Sequence, residues 1–384
     1  MEELVYRGSP EEQARILFAL KDAARSVAEK AGLGGGDAVV LTGGFGRGEG
    51  ALSREPGGPV RPFSDVDFLI VSARSTVPQS VLSGMKPGLA AALAADHVDL
   101  GCVRASSLAG ARPTVFLYEL KAGSRVLWGS ERVLDRVPAF RPFELPTTEG
   151  TRFFLNRGVS LLSLLLMAQR GENATVLRKA AATAWSKAVL AAGDALLLER
   201  KLYHWSYAAR LRRMEETGGG PGGDGFAREY RDAALFKLTA DFDRVPSQDP
   251  LELFVAARSL HERHFRPFEE RRTFTSIPDW RDYPATVVRA GLNPVRRRLK
   301  ESFLALARTA LRPQEVARFV RLPLVGEERQ LALLPLLLYA VGGRAAGSLD
   351  GKLVETACRL ELGRPGGPKD WIRLAAGLAG GAHP

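Results

Sequence analysis

One pairing limits the folds open to this chain more than any other feature. A short apolar run, Asp37 to Thr42 (DAVVLT), ends in Gly43-Gly44, and a second, Asp65 to Ser72 (DVDFLIVS), opens on two acids one residue apart. Both runs have the length and β-branched content of buried strands bounded by turn residues. Side chains at i and i+2 of a strand point to the same face, so Asp65 and Asp67 project side by side. A third run, His97 to Val103 (HVDLGCV), carries Asp99 at a position that leaves Val98, Leu100 and Cys102 for the core. Asp96 lies outside that register, and His97 reads as a surface residue at the strand start. Carboxylates this close repel one another, and one of them would hold a proton at neutral pH. A hard divalent cation such as Mg²⁺ relieves that repulsion, taking oxygen ligands from one or two carboxylates and from substrate phosphates.

The rest of the chain is read around these strands. Residues 11–31 have the apolar stripe of a helix, with Ile16, Leu17, Leu20, Ala23 and Val27 on one side. A helical turn is expected after GRGEGAL, an exposed loop over 54–62 (REPGGPVRP), and a helix over 78–95. Residues 116–130 read as a helix or strand followed by a short strand. Helical patterns then dominate: 152–169, 175–200, 206–216, 226–243, 250–264, 297–311 and 313–320, with a glycine-rich loop over 218–225. The expected class is α+β, an N-terminal α/β core with a mixed sheet followed by an all-helical C-terminal region. The expected divisions are 1–145 for the core, 146–290 for a helical acceptor-side domain and 291–384 for a helical extension.

The blocks VVLTGGFGRGEG, SDVDFLIV and HVDLGCV together resemble the polymerase-β-type nucleotidyltransferase superfamily, over about residues 36–135. The first two are similar to the catalytic region of uridylyltransferases that modify the PII signal protein. The segment FLYELKAGSRVLWGSERVL is similar to one in aminoglycoside-modifying nucleotidyltransferases. The resemblance implies two Mg²⁺ ions and an NTP co-substrate, with NMP moved to a hydroxyl and pyrophosphate released. It implies that Asp65 and Asp67 bind both ions. Asp99 would bind the catalytic ion and help deprotonate the acceptor. Gly43, Gly44 and Ser64 would contact the β,γ-phosphates, Arg47 would stabilise the leaving pyrophosphate, and Glu49 would orient Arg47. The loop between the Gly-Gly turn and Asp65 is longer than in most members, so the turn and the carboxylates meet only if that loop folds away from the sheet.

Competing readings are weaker. Gly46 to Ala51 fits G-x-G-x-x-A, but a dinucleotide fold puts its ribose-binding acid at the end of the second strand, and here both acids open theirs. No Walker-type G-x-x-x-x-G-K-[ST] follows the first strand. A non-catalytic nucleotide-binding or antitoxin-like regulatory module remains as the alternative, as does an RNA-end nucleotidyltransferase. Glu119 and Lys121 read as a solvated pair. Arg178, Lys179, Lys187, Asp194, Tyr203 and Tyr207 read as amphipathic bundle residues that could face the acceptor. Arg258 and His264 have a loose Arg–x–His ribonuclease spacing, but six residues along a helix do not share a face, so a surface helix is the expectation.

Composition bears on partners. The chain has 54 Lys and Arg against 43 Asp and Glu, a formal charge of +11, with 45% apolar residues. That excess favours anionic partners, triphosphate first, and part of it lies in the run Arg296 to Lys300. No basic run interleaved with aromatics favours RNA, so the expected acceptor is a small molecule or a protein. Cys102 and Cys358 form no disulfide or zinc pattern. Met1 to Pro10 carry no apolar signal core, and the apolar stretch Leu331 to Val341 is too short to span a bilayer. The expectation is a cytoplasmic protein without membrane contact.

Overall fold

The structure is a computed structural model of the 384-residue chain. It describes residues 3–54, 60–74, 76–218, 223–293, 300, 304, 313–342 and 348–380. The centre of the loop expected over 54–62, part of the 218–225 loop and the helix expected over 297–311 lie outside the described residues. So does the run Arg296–Lys300, apart from Lys300. The chain divides into two compact units. The first comprises residues 1–146 and 197–244, and the second 147–196 and 245–384. The residues after Leu197 thus group with the sheet, although they follow a long helical stretch in sequence.

The first unit is built on a four-stranded mixed sheet of order β5-β4-β1-β6. Its strands are β1 (Ala38–Thr42), β4 (Val66–Ser72), β5 (Val98–Arg104) and β6 (Arg125–Gly129). β1 runs antiparallel to β4 and β6, while β4 and β5 are parallel. A parallel pair needs a crossover, and α3 (Gln79–Leu93) supplies it. Alternation sorts the central strands onto two faces. Val39, Leu41, Val66, Phe68 and Ile70 pack with Ile16, Leu20 and Val27 of α1 (Pro10–Lys30) and with Leu82, Met85 and Leu89 of α3. Val40, Leu69 and Val71 face the other way, onto Leu117 and Leu120 of α5 (Val115–Gly123) and onto Leu108 at the end of the single turn α4 (Ala105–Leu108). Both faces are covered, which is why the apolar runs read as continuous. α1 starts at a capping box, with Ser9 and Glu12 satisfying each other's backbone N–H groups. The ambiguous segment 116–130 resolves as the helix α5 followed by the strand β6.

One local expectation is corrected. The helical turn does not follow GRGEGAL; it is the Gly-Gly segment itself, α2 (Gly43–Gly46), a single turn. The chain then enters a two-stranded hairpin, β2 (Leu52–Ser53) with β3 (Arg61–Pro62). The small residues of the turn explain this. Gly44 and Gly46 are buried, and a Cβ on Gly46 would lie 2.5 Å from the Leu41 carbonyl oxygen, so helix and strand are packed backbone to backbone.

The same unit carries α8 (Tyr207–Glu216) and α9 (Gly223–Thr239). Phe236 of α9 and Phe242 beyond it meet the Phe63 ring edge-on, with centroids 5.6 and 5.9 Å away. These contacts dock α9 beside the residues that open β4.

The second unit is helical apart from a short hairpin, β7 (Val341–Gly342) with β8 (Ser348–Leu349). α6 (Thr148–Gln169) packs against α10 (Pro250–Thr273), α13 (Gly326–Leu338) and α15 (Pro368–Gly380). α11 (Tyr283–Ala290), α12 (Pro313–Arg321) and α14 (Gly351–Leu362) complete it. Phe154, Phe265, Phe268, Trp280 and Tyr283 form its aromatic centre. Within that centre Glu269 is fully buried and satisfied by Thr151, Tyr283 and Arg272. α7 (Ala174–Glu199) is long and apolar enough to cross a membrane by length and composition, and 83% of its most apolar window is buried inside the protein. The α+β class expected from the sequence is the class observed.

Candidate active site

The strand register brings the acids together. Asp67 of β4 pairs directly with Asp99 of β5, and because the strands are parallel both side chains leave the same face. Asp65 stands two residues earlier in the chain. Val98 and Leu100 are buried in the core, which leaves Asp99 exposed on the edge strand. Asp96, the rejected neighbour, pairs instead with Arg61 of the hairpin at 3.0 Å.

The Gly-Gly turn meets these acids despite the long loop. Thr42, the last residue of β1, is the register partner of Asp67, so the turn begins beside it. Gly43 has φ +63°, and a Cβ built on it would lie 1.8 Å from Asp67 Oδ2. Only glycine fits there, both for backbone conformation and for the space that the carboxylate occupies. Ser64 is buried, and its hydroxyl accepts the Ala51 N–H at 3.3 Å, tying the start of β4 to the hairpin. Its oxygen therefore already has a backbone partner.

Asp67 is the perturbed group. Its carboxyl is pushed up to about 6, first by burial, then by the charge of Asp65 and more weakly by that of Asp99. Lys237 and, least, Arg47 oppose the rise. Lys237 follows Phe236 on α9, and the Phe63–Phe236 contact is what carries it to the acids. This lysine carries no signal in the sequence, because its helix reads as an ordinary amphipathic one. Lys86 of α3 is a second unanticipated cation, 3.2 Å from Asp99 Oδ1. His97 is exposed immediately before β5, as a surface residue at the strand start would be, and its Nε2 lies 3.2 Å from the same oxygen.

Arg47 is placed differently from the expectation. Its side chain is only 8% exposed and donates to Glu119 at 3.0 Å, with Glu49 at 3.6 Å and the Tyr207 ring 5.3 Å away. Burial is the largest influence and opposes its charge, but Glu119, Tyr207 and Glu49 together hold the guanidinium above its ordinary value. Glu119 also accepts the Tyr203 hydroxyl at 2.7 Å, so it is no solvated partner of Lys121, which turns to the Leu134 carbonyl. Glu49 accepts the Ser206 hydroxyl at 2.7 Å and the N–H groups of Tyr207 and Ala208 at 3.0 Å each. A carboxylate at the first turn of α8 is favoured by the helix dipole as well as by these bonds. Arg210 completes the cluster, its guanidinium 3.7 Å from the Tyr207 ring centroid. This polar core joins the Gly-Gly turn, α5 and α8, so Arg47 and Glu49 hold the site together from behind.

Of the remaining candidates, Tyr203 and Tyr207 fall in the first unit, and Arg178, Lys179, Lys187 and Asp194 fall in the second. Arg258 donates to the Leu338 and Tyr339 carbonyls, closing the end of α13. Burial pushes His264 down to about 4.

The donor set of the acid cluster is all oxygen, which suits a hard cation such as Mg²⁺. Among the described residues no group of three or more His, Cys, Asp or Glu side chains is gathered tightly enough to ligate one metal ion as it stands. The Asp99 carboxylate is engaged by Lys86 and His97, each 3.2 Å from its Oδ1. Neither a scan against family models nor a search of the curated proteins gives a match to this chain.

Proposed function

We propose that the chain is a Mg²⁺-dependent nucleotidyltransferase of the polymerase-β type, moving NMP from an NTP to a hydroxyl of a small-molecule or protein acceptor. One observation carries the reading: Asp67 and Asp99 are register partners on parallel strands, with Gly43 packed against the Asp67 carboxylate. A cluster of like charges next to a turn that only glycine can make is costly for folding alone. It is rational where cation and phosphate complete it.

In this mechanism Asp65 and Asp67 would hold the metal ions. The bound Mg²⁺ ions supply charge neutralisation for attacking and leaving oxygens in an in-line displacement. The acceptor oxygen forms a bond to the α-phosphorus as the bond to the bridging oxygen breaks. Pyrophosphate leaves, and the acceptor proton passes to Asp99, the most exposed of the three acids. Gly43 and Gly44 let the backbone approach the phosphates. Lys237 and Lys86 balance negative charge on either side. Arg47 acts at one remove, by fixing the turn through Glu119.

The test is transfer of label from α-labelled ATP, UTP, CTP or GTP to cell extract, with pyrophosphate release measured in parallel. Asp65→Asn and Asp67→Asn should each lower transfer by at least about 10²-fold while the folded content is unchanged. Wild-type rates in both variants would refute the reading. The contacts that Asp99 makes with Lys86 and His97 favour one alternative, a module that binds nucleotide without transferring it. Binding without pyrophosphate release in the wild type would select that alternative.

A further inference from the structure

The second unit contains a cavity of about 680 Å³ whose wall is dominated by arginine. Four helices turn one stripe each toward it. α12 contributes Arg318 and Arg321, α13 Arg329, and α15 Arg373; Arg364 and Glu361 come from the end of α14 and the residues after it. The spacings are helical: Arg318 and Arg321 are three apart, and Arg329 is followed four residues later by Leu333 on the same face. Leu333, Leu374 and Leu378 provide an apolar floor.

Three of the guanidiniums are held in fixed directions by the protein. Arg329 forks onto both carboxylate oxygens of Glu361. Arg321 donates to the Leu360 and Glu361 carbonyls at 3.2 and 3.3 Å, and Arg364 forks onto Asp370 at 2.7 and 3.0 Å. Among the described residues that line the cavity Glu361 is the only carboxylate, against five arginines. Among the described residues the wall thus carries more arginines than acids, facing a half-open cavity. Low-dielectric walls focus such a field. The Arg329 and Arg364 forks are spent on Glu361 and Asp370, so the charge a phosphate would meet comes from the other arginines of the wall, whose guanidiniums suit phosphate oxygens. The volume falls within the range of small-molecule sites.

We propose that this cavity is a second ligand site, for a phosphate-bearing small molecule with two or more negative charges whose apolar part rests on the leucine floor. The inference stands on the second unit alone and does not require nucleotidyl transfer in the first.

Inorganic pyrophosphate is the probe, titrated calorimetrically into the full chain in EDTA, so that no divalent ion can recruit it to the carboxylates. The wild type should bind it, more weakly as salt rises. Arg373→Glu, a reversal at an exposed position of α15, should weaken binding at least about tenfold. Arg318→Gln should weaken it in the same direction, and both variants should melt as the wild type does. Asp67→Asn should bind as the wild type does, which separates this site from the acid cluster. Absence of binding at millimolar pyrophosphate, or equal affinity in Arg373→Glu, would overturn the proposal. So would a single-stranded oligonucleotide that binds far more tightly than pyrophosphate and is equally sensitive to both substitutions.

Discussion

Two charged clusters lie close together in the sheet unit and differ in kind. Behind the Gly-Gly turn, Arg47, Glu49, Glu119 and Arg210 are matched, with cations facing carboxylates and a helix N-terminus capped. In front of it, Asp65, Asp67 and Asp99 are alike in sign, and the proton affinity of Asp67 rises because of it. The matched cluster is satisfied by the chain itself. The like-charged cluster draws on a raised proton affinity at Asp67 and on neighbouring cations such as Lys86 and Lys237. Matching therefore marks what holds the fold, and mismatch marks the candidate site on which the proposed function rests. The arginine cavity of the second unit follows the same rule with the opposite sign.

Breaking the matched cluster should have the largest effect on stability. Glu49→Ala removes the acceptor for Ser206, Tyr207 and Ala208 and leaves Arg47 short of a partner. A loss of about 3–5 kcal/mol is expected by denaturant titration, as for one partner of a buried pair. A loss below about 1 kcal/mol would mean that the cluster does not hold α8 to the turn.

The like-charged cluster should respond in the opposite direction. The Asp67 carboxyl titrates near 6 in the folded chain against 3.8 in the unfolded one. Its contribution is fully present below about pH 4 and is lost as pH rises through about 6. Asp67→Asn, with no charge to lose, should make the metal-free protein more stable at pH 8 by about 2 kcal/mol. That gain should vanish in melts below about pH 4. A destabilised variant at pH 8 would place Asp67 with the structural residues.

The smallest change sharpens the boundary between the clusters. Lys86 and Asp99 are an exposed pair, so Lys86→Ala should shift stability by no more than about 0.5 kcal/mol. Because it releases the Asp99 carboxylate, metal binding should be no weaker in this variant. Weaker binding would mean that Lys86 positions Asp99 rather than competing for it.

Period-two alternation and turn residues carried the strands into view from sequence, and with them the pairing of Asp65, Asp67 and Asp99. Those are local signals, and the register of β4 on β5 follows from keeping Val98 and Leu100 in the core. The surroundings of Arg47 are not legible in the sequence, because its position in the motif says nothing of Glu119 and Tyr207, which reach it from distant segments. Lys237 was invisible for the same reason. Its place depends on Phe63 meeting Phe236, a long-range contact between side chains that are unremarkable in their own segments. The two-unit division was equally hidden, since residues 197–244 return to the sheet after a helix that belongs mostly to the other unit.

The central claim is that the three acids are gathered for a divalent cation. Mn²⁺ reports it directly, through the loss of its free-ion paramagnetic resonance signal as protein is added. With a nonhydrolysable NTP present, the wild type should take up Mn²⁺ at pH 7.5, and Asp67→Asn should weaken uptake by about 10²-fold or more. Equal uptake by wild type and Asp67→Asn would contradict the account.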